Sequence, residues 1–295
     1  MRLFLQSFKP MLLSEKKEPF DSKKYFYELK FDGMRALLFV SPHSFKILNR
    51  HEQDVTYKFP ELKEIQKNVM STVIFDGEIV CFDQEKPSFA FLQKRFSLKK
   101  TLSIQKALLH YPVSYICFDI LYENKSLIDL PLSERKKILA KYPNTSYFAK
   151  SPVFSEGKKL FLQVKKMGLE GIVAKRKDSL YEINSRTSSW IKIKNIQREE
   201  FLIGGYKIEK QNVSLYLGER QEKKIYFVGK VSVSKEKFLK MNIKDLKKEK
   251  SPFWNFSSKE VLYVKPVIFC YVEFLEKSKT GKLRHPVFRG LVNFD

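Results

Sequence analysis

Within the six positions of Lys30-Phe-Asp32-Gly33-Met-Arg35 the chain sets a primary amine, a carboxylate and a guanidinium around a glycine. An amine and a guanidinium held together on a rigid scaffold are chemistry for engaging an anion. The flanks, Tyr25-Phe-Tyr-Glu28 and Ala36-Leu-Leu-Phe-Val40, are aromatic or aliphatic and read as strands. Asp-Gly between strands is a hairpin signal, because glycine accepts positive φ at no steric cost. A two-residue turn pairs Phe31 with Met34 and sets Lys30 opposite Arg35. Like charges placed so repel, and an anion between them removes the repulsion. Taken alone, the stretch reads equally as an exposed hairpin with solvated cations.

Further groups follow in order. Arg50 closes a strand over residues 46–50. Asp76-Gly77-Glu78 lies in a β-prone run over 73–82, and Phe118-Asp119 in a nearly unbroken apolar strand over 113–121. An acid there is costly to bury and calls for a partner. Glu170-Gly-Ile-Val173-Ala-Lys175 has an acid at one end of a strand and cations at the other. Alternation in Trp190-Ile-Lys192-Ile-Lys194 puts Trp190, Lys192 and Lys194 on one face. An edge strand protected by solvated lysines has the same pattern.

The elements that position these groups are read from periodicity. Helical spacing predicts helices over 59–70, 88–96, 132–141 with Ser133 as N-cap, and 160–168 with Gly168 as C-cap. Pro10 and Pro19 make residues 10–21 extended. The polar run 195–200 is the expected boundary and hinge, giving domains 1–197 and 198–295. Beyond it, short strands over 201–206, 213–217, 225–233, 262–276 and 286–294 predict a small β-barrel. A lysine-rich helix over 234–250, carrying Lys247 and Lys248, interrupts it as a solvated face or a DNA contact.

Composition narrows the class. The 295 residues suffice for one large domain or two ordinary ones, and 43% hydrophobic content excludes a disordered chain. A net charge of +23 implies a polyanionic partner, most simply nucleic acid. Cys81, Cys117 and Cys270 are scattered through apolar runs, as reduced core thiols of a cytoplasmic protein would be. Neither they nor the four histidines have zinc-ligand spacing. No apolar run is long enough to cross a membrane.

Taken in order, these motifs resemble the covalent nucleotidyltransferases, specifically ATP-dependent DNA ligases. The likeness is closest to the ligase domain of bacterial end-joining proteins and their free-standing relatives, and it covers nearly the whole chain. Pro10-Met-Leu12, Phe201-Leu-Ile-Gly-Gly-Tyr206 and Gly281-Lys-Leu-Arg284-His-Pro-Val-Phe-Arg289-Gly-Leu291 carry the subgroup resemblance. It implies an α+β fold: a nucleotidyltransferase domain of antiparallel sheets with helices, then an oligonucleotide-binding barrel. It implies sealing of 5′-phosphate/3′-hydroxyl breaks through lysyl-AMP and DNA-adenylate, with ATP and Mg²⁺ or Mn²⁺ as cofactors and nicked duplex DNA as partner of a monomer, in DNA repair.

By the same resemblance Lys30 is the adenylylated nucleophile, Phe118 stacks on adenine with Glu28 near its edge, and Arg35 and Arg50 lie near the ribose and the DNA 5′-phosphate. Lys175 joins the nucleotide site and Arg186 the DNA contacts. The chemistry asks for these residue types. A phosphoramidate needs a neutral amine, against a free lysine pKa of about 10.4, and a neighbouring cation favours that form. Displacement at phosphorus needs positioning and charge, which Lys192 and Lys194 can supply. Glu78 and Glu170 can hold the metal through oxygen, with Asp32 and Asp76 assisting it or orienting the cations.

Two positions depart from the family pattern. Asn184 stands where Tyr-x-x-Gly would end, and asparagine tolerates the left-handed turn better than most residues. The arginine that usually follows Gly-Leu is Val292, so Arg284 or Arg289 is expected to orient the β- and γ-phosphates instead. An RNA ligase or capping guanylyltransferase shares the Lys-x-Asp-Gly core, but Glu-Gly-Ile-Val-Ala-Lys and Trp-Ile-Lys-Ile-Lys favour DNA ligase. NAD⁺ dependence is disfavoured, since Lys30 lies too near the start for an additional nicotinamide-binding domain. A basic nucleic-acid-binding module with a decayed site is the remaining alternative.

Overall fold

The computed structural model describes residues 8–278 and 280–292. The chain divides into two compact units, Met1–Asn195 and Ile196–Asp295.

The first unit holds two sheets. One contains β1 (Leu12–Glu15), β2 (Tyr25–Leu29), β10 (Gly171–Arg176) and β11 (Arg186–Lys194), in the order β1-β11-β10-β2. The other contains β3 (Met34–Val40), β4 (Phe45–Asn49), β5 (Val73–Asp83), β7 (Val113–Glu123) and β8 (Lys125–Ser126), in the order β4-β3-β5-β7-β8. Beside β5 runs β6 (Lys86–Pro87), and beside β7 runs β9 (Phe148–Lys150). Residues of both sheets meet in one core, Leu37, Phe39, Ile74 and Leu121 from one and Trp190 from the other. The outer face of the first sheet packs Tyr27, Ile172, Ala174 and Ile193 on the helix Gly157–Met167.

This topology corrects the hairpin expected at Asp32-Gly33. β2 pairs with β10 and β3 with β4 and β5, so the turn carries the chain from one sheet to the other, and Lys30 does not face Arg35. Gly33 has no positive φ. It is glycine because a Cβ there would meet the Ile79 carbonyl oxygen at 2.4 Å and Glu78 Cγ at 2.6 Å. Asp76-Gly77-Glu78 lies inside the continuous strand β5.

The helices differ from expectation for local reasons. Residues Pro60–Asn68 are 3₁₀, matching the three-residue spacing of buried Leu62 and Ile65. A helix over Thr101–His110 was not expected, because exposed Leu102 and Leu109 blur the narrow apolar stripe of Ile104 and Ala107. Ser133 does not cap. The helix Leu132–Leu139 follows Pro131, and its first amides donate to the carbonyls of Ser179 and Lys177. Gly168 ends the helix Gly157–Met167 in the left-handed conformation, φ 66°, as expected. Asn184 also takes it, at φ 59°, so the turn survives without glycine.

In the polar run 195–200, expected as boundary and hinge, Asn195 and Ile196 lie outside any strand and the residues from Gln197 on are strand. β12 (Gln197–Ile208) pairs from Gln197 onward with β17 (Phe269–Phe274). β13 (Asn212–Gln221), β14 (Lys224–Ser234), β15 (Lys247–Lys248), β16 (Leu262–Val264) and β18 (Val287–Leu291) complete one seven-stranded sheet around Phe201, Ile203, Leu215, Val231 and Val272. The long lysine-rich helix is absent. Ser234 caps a helix of only Lys235–Leu239, Asn242 turns left-handed at φ 51°, and Lys247 and Lys248 are strand. The end of the strand expected over 286–294 lies outside the described residues from 293 on.

Candidate active site

Register assembles the site. Residues directly opposite on paired strands share a face, so the β2–β10–β11 ladder aligns Glu28, Val173 and Lys192 in one row, and Phe26, Lys175 and Trp190 in the next. Gly171 stands opposite Lys194, and the Lys30 amide donates to the Gly171 carbonyl at 2.9 Å. On the second sheet Arg35 pairs with Glu78 and Leu37 with Asp76, again on one face. Leu37 and Trp190 belong to the core between the sheets, so the polar members of both faces border one interior.

At one end of this interior, Lys30 Nζ lies 2.9 Å from Glu170 Oε2 and 2.8 Å from Oε1. Glu78 is close by. Burial pushes its carboxyl up to about 7, Lys30 and Arg35 oppose the rise, and Glu170 and Asp76 add to it. Arg35 grips Asp76 with both ends of its fork, Nε to Oδ1 at 3.0 Å and Nη2 to Oδ2 at 2.6 Å, and the Tyr181 hydroxyl donates to Oδ2 at 2.7 Å. Burial alone would lower the Arg35 guanidinium, but the Asp76 charge raises it above its ordinary value.

Deeper in, the half-buried Phe118 has its ring edge against Trp190, with centroids 6.2 Å apart. Lys175 Nζ stands 4.0 Å from its centroid and the Arg35 guanidinium 5.1 Å. Lys175 also donates to Glu28 Oε2 at 2.9 Å, while Lys136 faces Glu28 Oε1 at 2.6 Å. Glu28 is 1% exposed. Burial would raise its carboxyl, but Lys136 and Lys175 hold it below the usual range. Burial lowers Lys175 to about 8 against the pull of Glu28. Behind them Asp119 receives both ends of the Arg135 fork, at 2.9 and 2.8 Å.

On the next strand Lys192 and Lys194 both pair with Glu15, at 3.1 and 3.3 Å. Thus Glu28, Lys30, Arg35, Glu78, Phe118, Glu170, Lys175, Lys192 and Lys194 lie on the paired strands of the first unit or at their ends. Asp32 lies in the segment between β2 and β3; among the described residues no three His, Cys, Asp or Glu side chains gather as a metal site, and the Glu170 carboxylate is turned onto Lys30. Arg50 is exposed and donates to His51 Nε2 at 3.0 Å, and exposed Arg186 donates to the Leu13 carbonyl. Arg284 and Arg289 pair with Glu276 and Glu273 within the second unit, at 3.1 and 2.6 Å.

Sequence reasoning missed Glu15, Arg135, Lys136 and Tyr181 as partners in the site. Asp119 in an apolar strand announced a partner but not its place on a later helix. Nothing local marks Glu15, which reaches Lys192 through a parallel pairing of chain segments far apart in sequence.

Residues 9–194 match the ATP dependent DNA ligase domain, and residues 209–293 the ATP dependent DNA ligase C terminal region. The SPbeta prophage-derived DNA ligase-like protein LigB of Bacillus subtilis is 34% identical, over 95% of this chain and 97% of its own length. The multifunctional non-homologous end joining protein LigD of Mycolicibacterium smegmatis is 30% identical over 97% of this chain, which spans 38% of that longer protein. The ligase domain of M. tuberculosis LigD superposes with a TM-score of 0.59 at 27% identity, covering 97% of this chain and 95% of the domain. The fold is accordingly a nucleotidyltransferase domain followed by an oligonucleotide-binding domain.

Proposed function

This chain belongs to the ATP-dependent DNA ligases, and from that premise we propose that Lys30 takes AMP from ATP and passes it to the 5′-phosphate of nicked duplex DNA, whose 3′-hydroxyl then displaces it. The observation that carries this reading is the convergence of Lys30, Glu170, Glu78 and Arg35 at one end of the space between the two sheets. Lys30 is 21% exposed, open enough to meet a phosphate yet held in place by Glu170.

Each residue then has a task. Once its amine has shed its proton to solvent and left Glu170, Lys30 attacks the α-phosphorus of ATP, the bond from that phosphorus to the β-phosphate oxygen breaks, and pyrophosphate leaves. Lys192 and Lys194 neutralise the phosphate oxygens. Arg35, locked by Asp76 and Tyr181, presents a fixed edge toward the ribose. Phe118 offers a ring for the adenine, and the Glu28–Lys175–Lys136 cluster sets the wall beside it. Arg50 and Arg186, both exposed, suit DNA phosphates, as do Lys247 and Lys248 in the second unit.

Mg²⁺ or Mn²⁺ fits the donor set in a limited way: Glu78 and Glu170 are two hard carboxylates, and a cation beside them favours the charged form of Glu78. Two carboxylates plus water and phosphate oxygens suit Mg²⁺, which keeps much of its own shell. When bound, the metal supplies charge neutralisation at the phosphates. The relatives' end-joining names support a repair role, and the buried free cysteines a cytoplasmic one. Among the described residues no helix is long and apolar enough to cross a membrane. The test is incubation with Mg²⁺ and α-labelled ATP, GTP or NAD⁺, followed by a nicked duplex. Label from ATP alone and a sealed strand are expected. Label from GTP alone, or no sealing, contradicts the reading.

A further inference from the structure

We infer that Glu15 is a built-in phosphate surrogate: its carboxylate holds Lys192 and Lys194 in the nucleotide-free enzyme and must be displaced by the ATP phosphates. The inference rests on the reading of those lysines as phosphate ligands. It adds a competitor from the chain itself, which sets how much ATP the first step needs.

The geometry is constructed rather than incidental. Lys192 and Lys194 are two apart on β11, so their ammoniums share a face and repel. Glu15 stands opposite Lys192 in a parallel pairing and reaches both, with Oε2 at 3.1 Å from Lys192 and Oε1 at 3.3 Å from Lys194. One carboxylate oxygen per ammonium is the arrangement two oxygens of one phosphate would make. The register skips between Leu13 and Ser14, from Thr187 to Ile191, and such an irregularity re-aims the side chains that follow.

The backbone on either side is tied down. The Leu12 amide donates to the Ser185 carbonyl at 2.7 Å, Ser14 Oγ to the Trp190 carbonyl at 3.3 Å, and the Lys16 amide to the Lys192 carbonyl at 3.1 Å. Burial would raise the Glu15 carboxyl, but Lys192 and then Lys194 hold it below the usual range, so it stays charged across the neutral range.

The side chain of Glu15 is 45% exposed and those of Lys192 and Lys194 are 22% and 27% exposed. The pairs are therefore solvated enough to exchange for a ligand, which a fully buried pair would resist. A triphosphate brings more negative charge than one carboxylate and a metal counterion of its own, so it wins at sufficient concentration. Glu15 then acts as a positioning residue. It keeps two like charges pre-aligned before ATP arrives and raises the concentration at which ATP takes them over.

Single-turnover adenylylation of the full chain as a function of ATP, with Mg²⁺, tests this. Glu15→Gln removes the competing charge and keeps the shape. It should lower the half-saturating ATP concentration about three- to tenfold, the range expected for two weak exposed pairs. The maximal rate should stay the same or fall. Glu15→Asp should return the ATP dependence toward that of the parent. A merely structural role would lower the rate and leave the half-saturation point unmoved. An unchanged or raised half-saturation point in Glu15→Gln overturns the inference. Lys192→Ala is run in parallel. If it raises the ATP requirement while Glu15→Gln does nothing, the surrogate alone is wrong. If Lys192→Ala also leaves the ATP requirement untouched, the phosphate role of Lys192 falls and the surrogate with it.

Discussion

Lys30 and Glu170 are 140 positions apart in sequence, yet the Lys30 ammonium lies 2.9 Å from the Glu170 carboxylate. The antiparallel pairing of β2 with β10 makes this contact, because Lys30 follows the last residue of one strand and Glu170 precedes the first residue of the other. Both side chains keep some contact with solvent, so the pair contributes little to stability. Glu170→Ala should therefore leave the thermal midpoint within about 2–4 °C of the parent, as a change of up to ~1 kcal/mol would. Adenylylation should fall by at least about a hundredfold, the usual scale for a positioned acid–base or charge-stabilising group. Calorimetry beside single-turnover labelling checks it. A large fall in the midpoint would make Glu170 a structural residue.

Asp119 and Arg135 present the opposite case. Both side chains are fully buried, and two bonds of 2.9 and 2.8 Å join them. Arg135→Ala strands the Asp119 charge in the core and should cost ~3–5 kcal/mol. Urea unfolding reads this directly. A loss below ~1 kcal/mol, the value for an exposed pair, would mean the pair is not sealed from water.

Glu78 gives a pH dependence of defined sign. Its folded value, about 7, lies above the ordinary 4.5. The folded state therefore holds the proton more tightly than the unfolded chain, and this contribution to stability is complete below pH about 4.5 and lost as pH rises through about 7. Glu78→Gln cannot ionise and escapes the loss. The difference in stability, variant minus parent, should grow from pH 4.5 to 7 and level off above it. A difference that is flat across that window would show that burial does not raise Glu78.

Legibility of the site in the sequence followed the range of the interactions involved. The strands carrying Glu78, Phe118 and Lys192, and the strand that ends just before Lys30, were readable, because each is a local run of β-branched and aromatic residues with a distinctive polar insertion. The strands of the terminal barrel were readable for the same reason, while the α+β class came with the family resemblance. The pairing of β2 with β10 was not, so Asp32-Gly33 looked like a hairpin although its glycine answers to the tight approach of Glu78 and Ile79. The first turn of the helix Leu132–Leu139 is satisfied by carbonyls from residues 177 and 179, which made Ser133 a false cap. Glu15 and Tyr181 reach the site through contacts with no local signature.

The altered tail is open to a two-step test. Arg284 and Arg289 pair with Glu276 and Glu273 at 3.1 and 2.6 Å, in partly exposed pairs that can open to take a phosphate. If one of them orients the β- and γ-phosphates, its change to alanine slows enzyme adenylylation and spares the sealing of a nick that already carries 5′-AMP, where those phosphates no longer exist. Rapid-quench measurement of both steps separates the outcomes. An equal fall in both steps, or no fall in either variant, would assign the two arginines elsewhere.

In the reading proposed above, Lys30 forms the covalent bond to AMP. Peptide mass spectrometry of the protein after ATP and Mg²⁺ should find the adenylyl mass on Lys30. Lys30→Ala should carry no label and still seal a pre-adenylylated nick, because that step no longer needs the amine as nucleophile. Adenylyl mass on another residue, or label persisting on Lys30→Ala, would contradict the account.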